Sequence, residues 1–275
     1  MAVVAAMTLL VKLTGAAKEL VVAGYYGTGD VVDAFLFAYL LPSFVISVLA
    51  GSFSAAMMPT YIRIRNSKGE EAARQLFTSL LVIGVLFLLI SAAILAALAP
   101  TLLSLLGSGF STQTMELTRA LFYWLLPVVV LTGSGHLFAT IINASERFAI
   151  VALAPAITPL CAVIALVTLG TEWGIYALAF GTVLGAGIEL LVLITAAARK
   201  NIPVRPRWNG MTEELRTVIG QYSPMIAGAF LMSSTVLVDQ SMAAMLEPGS
   251  VATLNYANKV VAMLLGIGSM ALGTA

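Results

Sequence analysis

Lys12, Lys18 and Lys259 stand inside long apolar runs, where an ammonium group is expensive and therefore informative. The stretch VKLTGAAKEL, residues 11–20, puts two lysines and Glu19 within one greasy segment. A lysine at the centre of a bilayer-spanning helix costs roughly 2.5–3.5 kcal/mol on insertion scales, so three facing lipid would be a heavy burden. At a rise of about 1.5 Å per residue, Lys12 lies some 20 Å below Tyr26, Lys18 about 12 Å below it, and Lys259 about 15 Å below Gly249. All three fall around the midplane, and their chemistry there is electrostatic: they face water or an anion. Lys12 and Glu19 share one helical face, and Gly15 between them permits close approach of a neighbouring helix or a ligand. That face is read as a cavity lining. Glu19, Asp33, Glu189 and Asp239, all within or near apolar runs, are the cavity or gating candidates. The competing reading has Lys12 and Lys18 snorkelling to opposite surfaces, with Glu19 and Asp33 satisfied by helix ends. Glu189 is equally an ion-pair partner for Arg199 or a proton site.

Other chemistries are excluded by what the sequence lacks. A single histidine, His136, and a single cysteine, Cys161, give neither a multi-histidine metal site nor a disulfide framework. No Ser/His/Asp set or paired carboxylates at membrane-surface depth mark an enzyme. No GxxxxGK[ST] loop is present, so no ATP-driven step and no cofactor are expected. Transport of an anion would then draw on an ion gradient or the membrane potential, about 2.3 kcal/mol per charge per 100 mV. The net charge of +1 is spread over loops, which argues against nucleic acid as a partner. His136 reads as a packed or interhelical hydrogen-bonding residue.

These side chains need a scaffold in the membrane. Of 275 residues, 60% are hydrophobic and 10% charged, the balance of a polytopic membrane protein. Apolar stretches at 3–26, 32–58, 75–99, 115–142, 148–169, 174–198, 214–246 and 250–274 predict eight spans, all α-helical. Arg63, Arg65, Lys68 and Arg74 flank the second break, Arg147 the fourth, and Arg199, Lys200, Arg205, Arg207 and Arg216 the sixth. The odd breaks carry no Lys or Arg, so the even ones are cytoplasmic and the N-terminus is inside. Arg119 departs from this pattern, with Glu116 spaced as an i,i+3 partner. Pro42, Pro127, Pro155, Pro159 and Pro224 interrupt five spans, Pro42 and Gly15 being hinge candidates. Gly181-xxx-Gly185 marks close helix packing. Gly29-Asp30-Val31 and Gly249-Ser250-Val251 open two spans at an offset of 220 residues, a faint six-span repeat. With Ala275 at the end of the eighth stretch, the chain reads as an N-terminal fragment. The expected organisation is a six-helix lobe over 1–200, a basic linker or amphipathic stretch over 201–216, and two helices of a second lobe over 217–275.

The same residues carry a family resemblance. The opening VKLTGAAKELVVAGYYGTGDVVDAFLFAYLLPSF, with its basic-x-x-Gly-x-x-basic-acidic pattern and later D-A-F and Leu-Pro, resembles the MurJ/MviN-type lipid II flippases of the MOP exporter superfamily. FSAAMMP at 53–59, NASERFAIVALAP at 143–155 and GSVATLNYANKV at 249–260 are similar as well. The resemblance implies the MOP-exporter fold, fourteen helices in two lobes, of which about eight are present here. It implies alternating access to a cationic cavity, and an undecaprenyl-diphosphate-linked saccharide carried across the bacterial cytoplasmic membrane for peptidoglycan or other polysaccharide assembly. It places Lys12, Lys18 and Lys259 where the family has diphosphate-engaging arginines, and Asp33 at a functional aspartate. Ammonium keeps the charge and loses the bidentate fork. Ile46-Ser47 and Ala50-Gly51 stand where the family carries further charges, so the cargo class is written broadly. The alternatives are a drug/cation antiporter of the same superfamily, with a carboxylate-dominated cavity, and a non-transporting scaffold for polysaccharide assembly.

Overall fold

The computed structural model describes residues 2–145 and 148–273, and side chains for 6–49, 51–145 and 148–265. Arg147 and Ala275, used above for loop charge and chain end, lie outside the described residues. Ten α-helices follow one another: α1 Ala2–Tyr26, α2 Asp30–Lys68, α3 Glu70–Leu106, α4 Thr112–Leu125, α5 Pro127–Ala144, α6 Phe148–Leu153, α7 Ile157–Trp173, α8 Ile175–Ala198, α9 Glu213–Ala243 and α10 Ser250–Gly273. A 3-10 turn, Ala154–Ala156, joins α6 to α7. Among the described residues six helical segments are long and apolar enough to cross a membrane: α2, α3, α5, α6 with α7, α8 and α9. α1 is 25 residues long and carries Lys12, Lys18 and Glu19 in its middle. Helices cover all eight expected stretches, the fourth as α4 plus α5 and the fifth as α6 plus α7, and six of the eight contain a segment that meets the length and apolarity of a span.

Local chemistry explains the breaks. Pro127 has no N–H to donate, so one span restarts there with proline in the first turn of α5. Pro155 sits in the 3-10 turn for the same reason. Pro42 and Pro224, in contrast, lie within unbroken helices α2 and α9, and Pro159 falls in the first turn of α7, where its missing N–H was never paired. These three prolines do not interrupt their spans. Ser111 caps α4, its Oγ accepting the Thr114 N–H at 3.1 Å, and Thr212 caps α9 by accepting the Leu215 N–H at 3.2 Å. α2 and α3, at 39 and 37 residues, outrun the bilayer core of about 30 Å and continue into water.

α2 is the central post. It packs against α3, α4, α5 and α9, while α5 also meets α8, α7 meets α8, and α1 lies on α6 and α7. Phe37, Met57, Phe77, Leu121 and Phe122 fill the core between them. α9 runs along α2 through edge-to-face rings, Phe44 with Phe230 at 5.4 Å and Phe53 with Tyr222 at 6.2 Å, and the Tyr222 hydroxyl donates to the Leu49 carbonyl at 2.9 Å.

The two ends of the bundle are built differently. At one, Arg65 Nη1 donates to the Ala144 carbonyl at 2.8 Å and Lys68 pairs with Glu214 at 2.5 Å, drawing together the second, fourth and sixth breaks. At the other, Asp33 meets Gly249 and Gly109 lies against Ala244, gathering the first, third and seventh. The three even breaks and the first, third and seventh therefore occupy opposite ends. Pro203, Pro206 and Gly210 keep residues 202–212 irregular, and α9 begins at Glu213, within the 201–216 stretch. Asn209 pins this linker to α3, its Nδ2 donating to the Gln75 carbonyl at 3.0 Å and to Thr78 Oγ1 at 2.7 Å.

Candidate functional site

α1, α2, α7, α8 and α10 enclose a cavity of ≈ 450 Å³, and Lys12, Lys18 and Lys259 all line it. On α1 the lining residues Lys12, Gly15, Lys18 and Glu19 recur at the helical period, so one face of the helix forms one wall. Asn255 and Lys259 are four apart on α10 and form a second. Tyr39 from α2, Thr158 from α7 and Thr182 from α8 supply hydroxyls on the far side. A Cβ built on Gly15 meets nothing within 4 Å, so this glycine opens space for a ligand and does not seat a neighbouring helix. Gly181 and Gly185 do the opposite: a Cβ there would lie 2.7 Å from Ala162 Cα and 2.6 Å from Thr158 Cα, and their absence lets α8 press against α7 behind the cavity.

Lys18 Nζ lies 3.0 Å from Glu19 Oε1, and Glu19 is 9% exposed. Among the described residues the remaining ion pairs are Lys68–Glu214 and Glu70–Arg74, so neither Lys12 nor Lys259 has an anionic partner. The expected Glu116–Arg119 pair is not formed. Three ammonium groups face one carboxylate across the lining, leaving a cationic surface with hydroxyl and amide groups between. Such a lining can hold a multiply charged oxyanion and hydrogen-bond polar groups attached to it.

The four acidic candidates part company. Only Glu19 lines the cavity. Glu189 sits behind its wall and accepts a hydrogen bond from Thr158 Oγ1 at 2.8 Å; it makes no ion pair with Arg199. Asp33 is 1% exposed and lies at the end of the bundle, where its Oδ2 accepts the Gly249 N–H and its Oδ1 the Ala252 N–H, both at 2.7 Å. A carboxylate from α2 thereby closes the first turn of α10, the end of a helix dipole that favours negative charge. Gly249 is required in that seam: its φ is +90°, and a Cβ would lie 2.9 Å from the Thr28 carbonyl oxygen. Asp239 is exposed on α9 and does not reach the cavity. Pro42 lies outside the lining as well, within α2.

Tyr39, Thr158, Thr182 and Asn255 were not singled out by sequence reasoning. Two of them had a signal. Asn255 precedes Lys259 by one helical turn, and Tyr39 is the counterpart of Lys259 at the 220-residue offset.

The all-helical bundle, with its cation-lined hollow among α1, α2, α7, α8 and α10, has the MOP fold. The structure of a lipid II flippase MurJ in an inward closed conformation superposes with TM-score 0.80, at 20% identity over 96% of this chain and 55% of that one. A MOP-superfamily transporter from Pyrococcus furiosus superposes at 0.74, at 16% identity over 96% of this chain and 60% of that one. The family described as lipid II flippase MurJ matches residues 22–275, and the chain belongs to that family. The probable lipid II flippase of Vibrio cholerae serotype O1 is 26% identical over 293 residues, covering 99% of this chain and 54% of that protein. The chain spans about half the length of the curated relatives it matches.

Proposed function

We propose that this chain forms the first lobe and the start of the second in a flippase that moves a polyprenyl-diphosphate-linked saccharide across the bacterial cytoplasmic membrane by alternating access. The cargo is lipid II or a related lipid-linked oligosaccharide. The observation that carries this reading is the convergence of Lys12, Lys18 and Lys259 on one cavity at the lobe seam. A diphosphate held by the three ammonium groups exchanges its hydration shell for fixed positive charge. The saccharide then travels among the Tyr39, Thr158, Thr182 and Asn255 polar groups, while the prenyl tail stays in lipid. The Lys- and Arg-rich end, with the N-terminus, faces the cytoplasm. The Asp33 seam closes the outer end in this conformation, and the cycle requires it to part as the cargo leaves. Family members named as lipid II flippases support the cargo class. Energy comes from the membrane potential or an ion gradient acting on the charged cavity. A drug/cation antiporter needs carboxylates where this cavity has ammonium groups.

The test is complementation of a flippase-depleted bacterium. Lys18→Ala and Lys259→Ala should each abolish growth while the protein still inserts at wild-type levels. Normal growth of both variants overturns the mechanism, and is the result a non-transporting scaffold would give.

A further inference from the structure

A second hollow is built for a different kind of guest. α2, α3, α5 and α9 enclose a groove of ≈ 340 Å³ with no charged residue among its described lining. Two glycines shape its floor: a Cβ on Gly84 would lie 2.7 Å from Leu137 Cδ1, and one on Gly133 2.5 Å from Leu88 Cδ2, so α3 and α5 close on each other's leucines. The Phe87 and Tyr222 rings, 6.4 Å apart, bridge α3 to α9. The Tyr222 hydroxyl is given to the Leu49 carbonyl, and Ser223 is the one other polar side chain of the described lining. At a rise of about 1.5 Å per residue, Leu80 to Leu88 and Val218 to Ile226 lie roughly 6–20 Å into apolar stretches that begin at residues 75 and 214, next to the Lys- and Arg-rich end. The groove thus sits at the hydrocarbon depth of one leaflet, with Ile219 38% exposed at its mouth. Left void it would forfeit the dispersion contacts of its walls, and a polar guest would go unsatisfied in it. Its volume, at the small end of ligand pockets, suits one chain and not a whole lipid. Arg216 stands three residues before Ile219 and seven before Ser223, on the same side of α9 and nearer the end of the bundle. Among the described residues it makes no ion pair, in contrast to Lys68, paired with Glu214, and Arg74, paired with Glu70. An apolar slot with an uncompensated guanidinium at its lip matches a phosphate that carries a hydrocarbon chain.

We propose that this groove is a site for one acyl chain of a glycerophospholipid from the adjoining leaflet, with Arg216 holding its phosphate, and that the bound lipid seats α9 on α3. The other hydrocarbon at hand is the prenyl tail of the cargo, and the fold keeps it apart. The groove shares no described lining residue with the lysine hollow, and ten residues of α2, about 15 Å, separate Tyr39 in one from Leu49 in the other. Between those levels α2 is joined to α9 by Phe44 against Phe230 and by Ser47 Oγ with Ser233 Oγ at 3.2 Å. A chain anchored at the lysines meets these contacts before it reaches the groove. The site does not rest on the diphosphate reading, since a resident lipid fills it whatever the lysine hollow carries.

The experiment is photolabelling of the purified chain in phosphatidylglycerol nanodiscs that contain a small fraction of phosphatidylglycerol with a diazirine in one acyl chain. Adducts should concentrate on Leu80–Leu88 and Ile219–Ile226. Ser223→Phe, which fills the mouth of the groove, should lower them at least about fivefold, while adducts at the exposed Ile90 and Ile94 of α3 change by less than about twofold. Arg216→Gln should lower groove labelling several-fold, and Arg216→Lys should restore part of it. Should Ser223→Phe not fold, Ile219→Phe carries the same test. Groove labelling no denser than at Ile90 and Ile94, or unmoved by the filling variants, overturns the site, and indifference to Arg216→Gln overturns the phosphate contact. Loss of groove labelling when farnesyl diphosphate is added assigns the groove to the tail of the cargo and overturns the phospholipid site while leaving the flippase reading intact.

Discussion

Asp33 and Glu19 are two buried carboxylates on neighbouring helices, and their partners give them opposite tasks. Asp33 is held by two backbone N–H groups at the start of α10 and closes a seam; Glu19 pairs with the Lys18 ammonium in a hollow. Asp33→Asn keeps the shape, removes the charge and turns one acceptor into a donor facing an N–H. Hydrogen bonds to a charged group are worth roughly 1.5–3 kcal/mol each, so the seam should loosen by about that much. Maleimide labelling of a cysteine placed at Ser250 checks this: it should rise several-fold in the Asp33→Asn background, and an unchanged rate would show that the seam does not depend on the charge. The lysines were legible in sequence because charge in hydrocarbon has so few explanations. Asp33 was legible as a buried acid, but its partners were not, since they lie 216 and 219 residues further along the chain. Thr158 was hidden similarly, as nothing in an apolar run marks which threonine will face a glutamate on the next helix.

At the scale of elements, glycines that look alike in sequence do different work. Gly185→Leu forces a side chain into the α7 backbone and should destabilise the bundle by at least about 1–3 kcal/mol, the usual cost of overpacking. Gly15→Ala enters open space within a helix and should stabilise the fold by roughly 0.5–1 kcal/mol. Thermal unfolding in detergent separates them: melting temperatures should fall for the first and hold or rise for the second, and a fall for Gly15→Ala would contradict the open-wall reading. The helices themselves were legible from apolar length, their ends less so. The second span was expected to stop at residue 58, yet α2 continues to Lys68, because hydropathy senses the bilayer while Arg63, Arg65 and Lys68 remain good helix formers beyond it. Prolines misled for a related reason. Pro127 and Pro155 break their spans and Pro42 and Pro224 do not, so the residue type alone does not decide the outcome.

For the whole molecule, what matters is that α1 and α10, far apart in sequence, bring their lysines to one chamber. α2 packs on α9 through its middle, Phe44 against Phe230 and Phe53 against Tyr222, and meets α10 where Asp33 accepts the Gly249 and Ala252 N–H groups. Sequence gave the depth of each charge and the alternation of basic loops. It could not give the chamber, because which face of α10 turns toward α1 is settled by contacts across the bundle. Binding of an anionic lipid to such a chamber should weaken steadily as ionic strength rises from 0.05 to 0.5 M, and a salt-independent affinity would contradict electrostatic capture. Lys12, Lys18 and Lys259 line one hollow, and the proposed mechanism requires it to be wet and to bind phosphate. Cysteines placed singly at Lys12, Lys18 and Lys259 and exposed to a membrane-impermeant, negatively charged thiol reagent test it most directly. All three should react, and farnesyl diphosphate should protect all three together; reaction only with lipid-soluble reagents, or protection of one position without the others, would contradict the account.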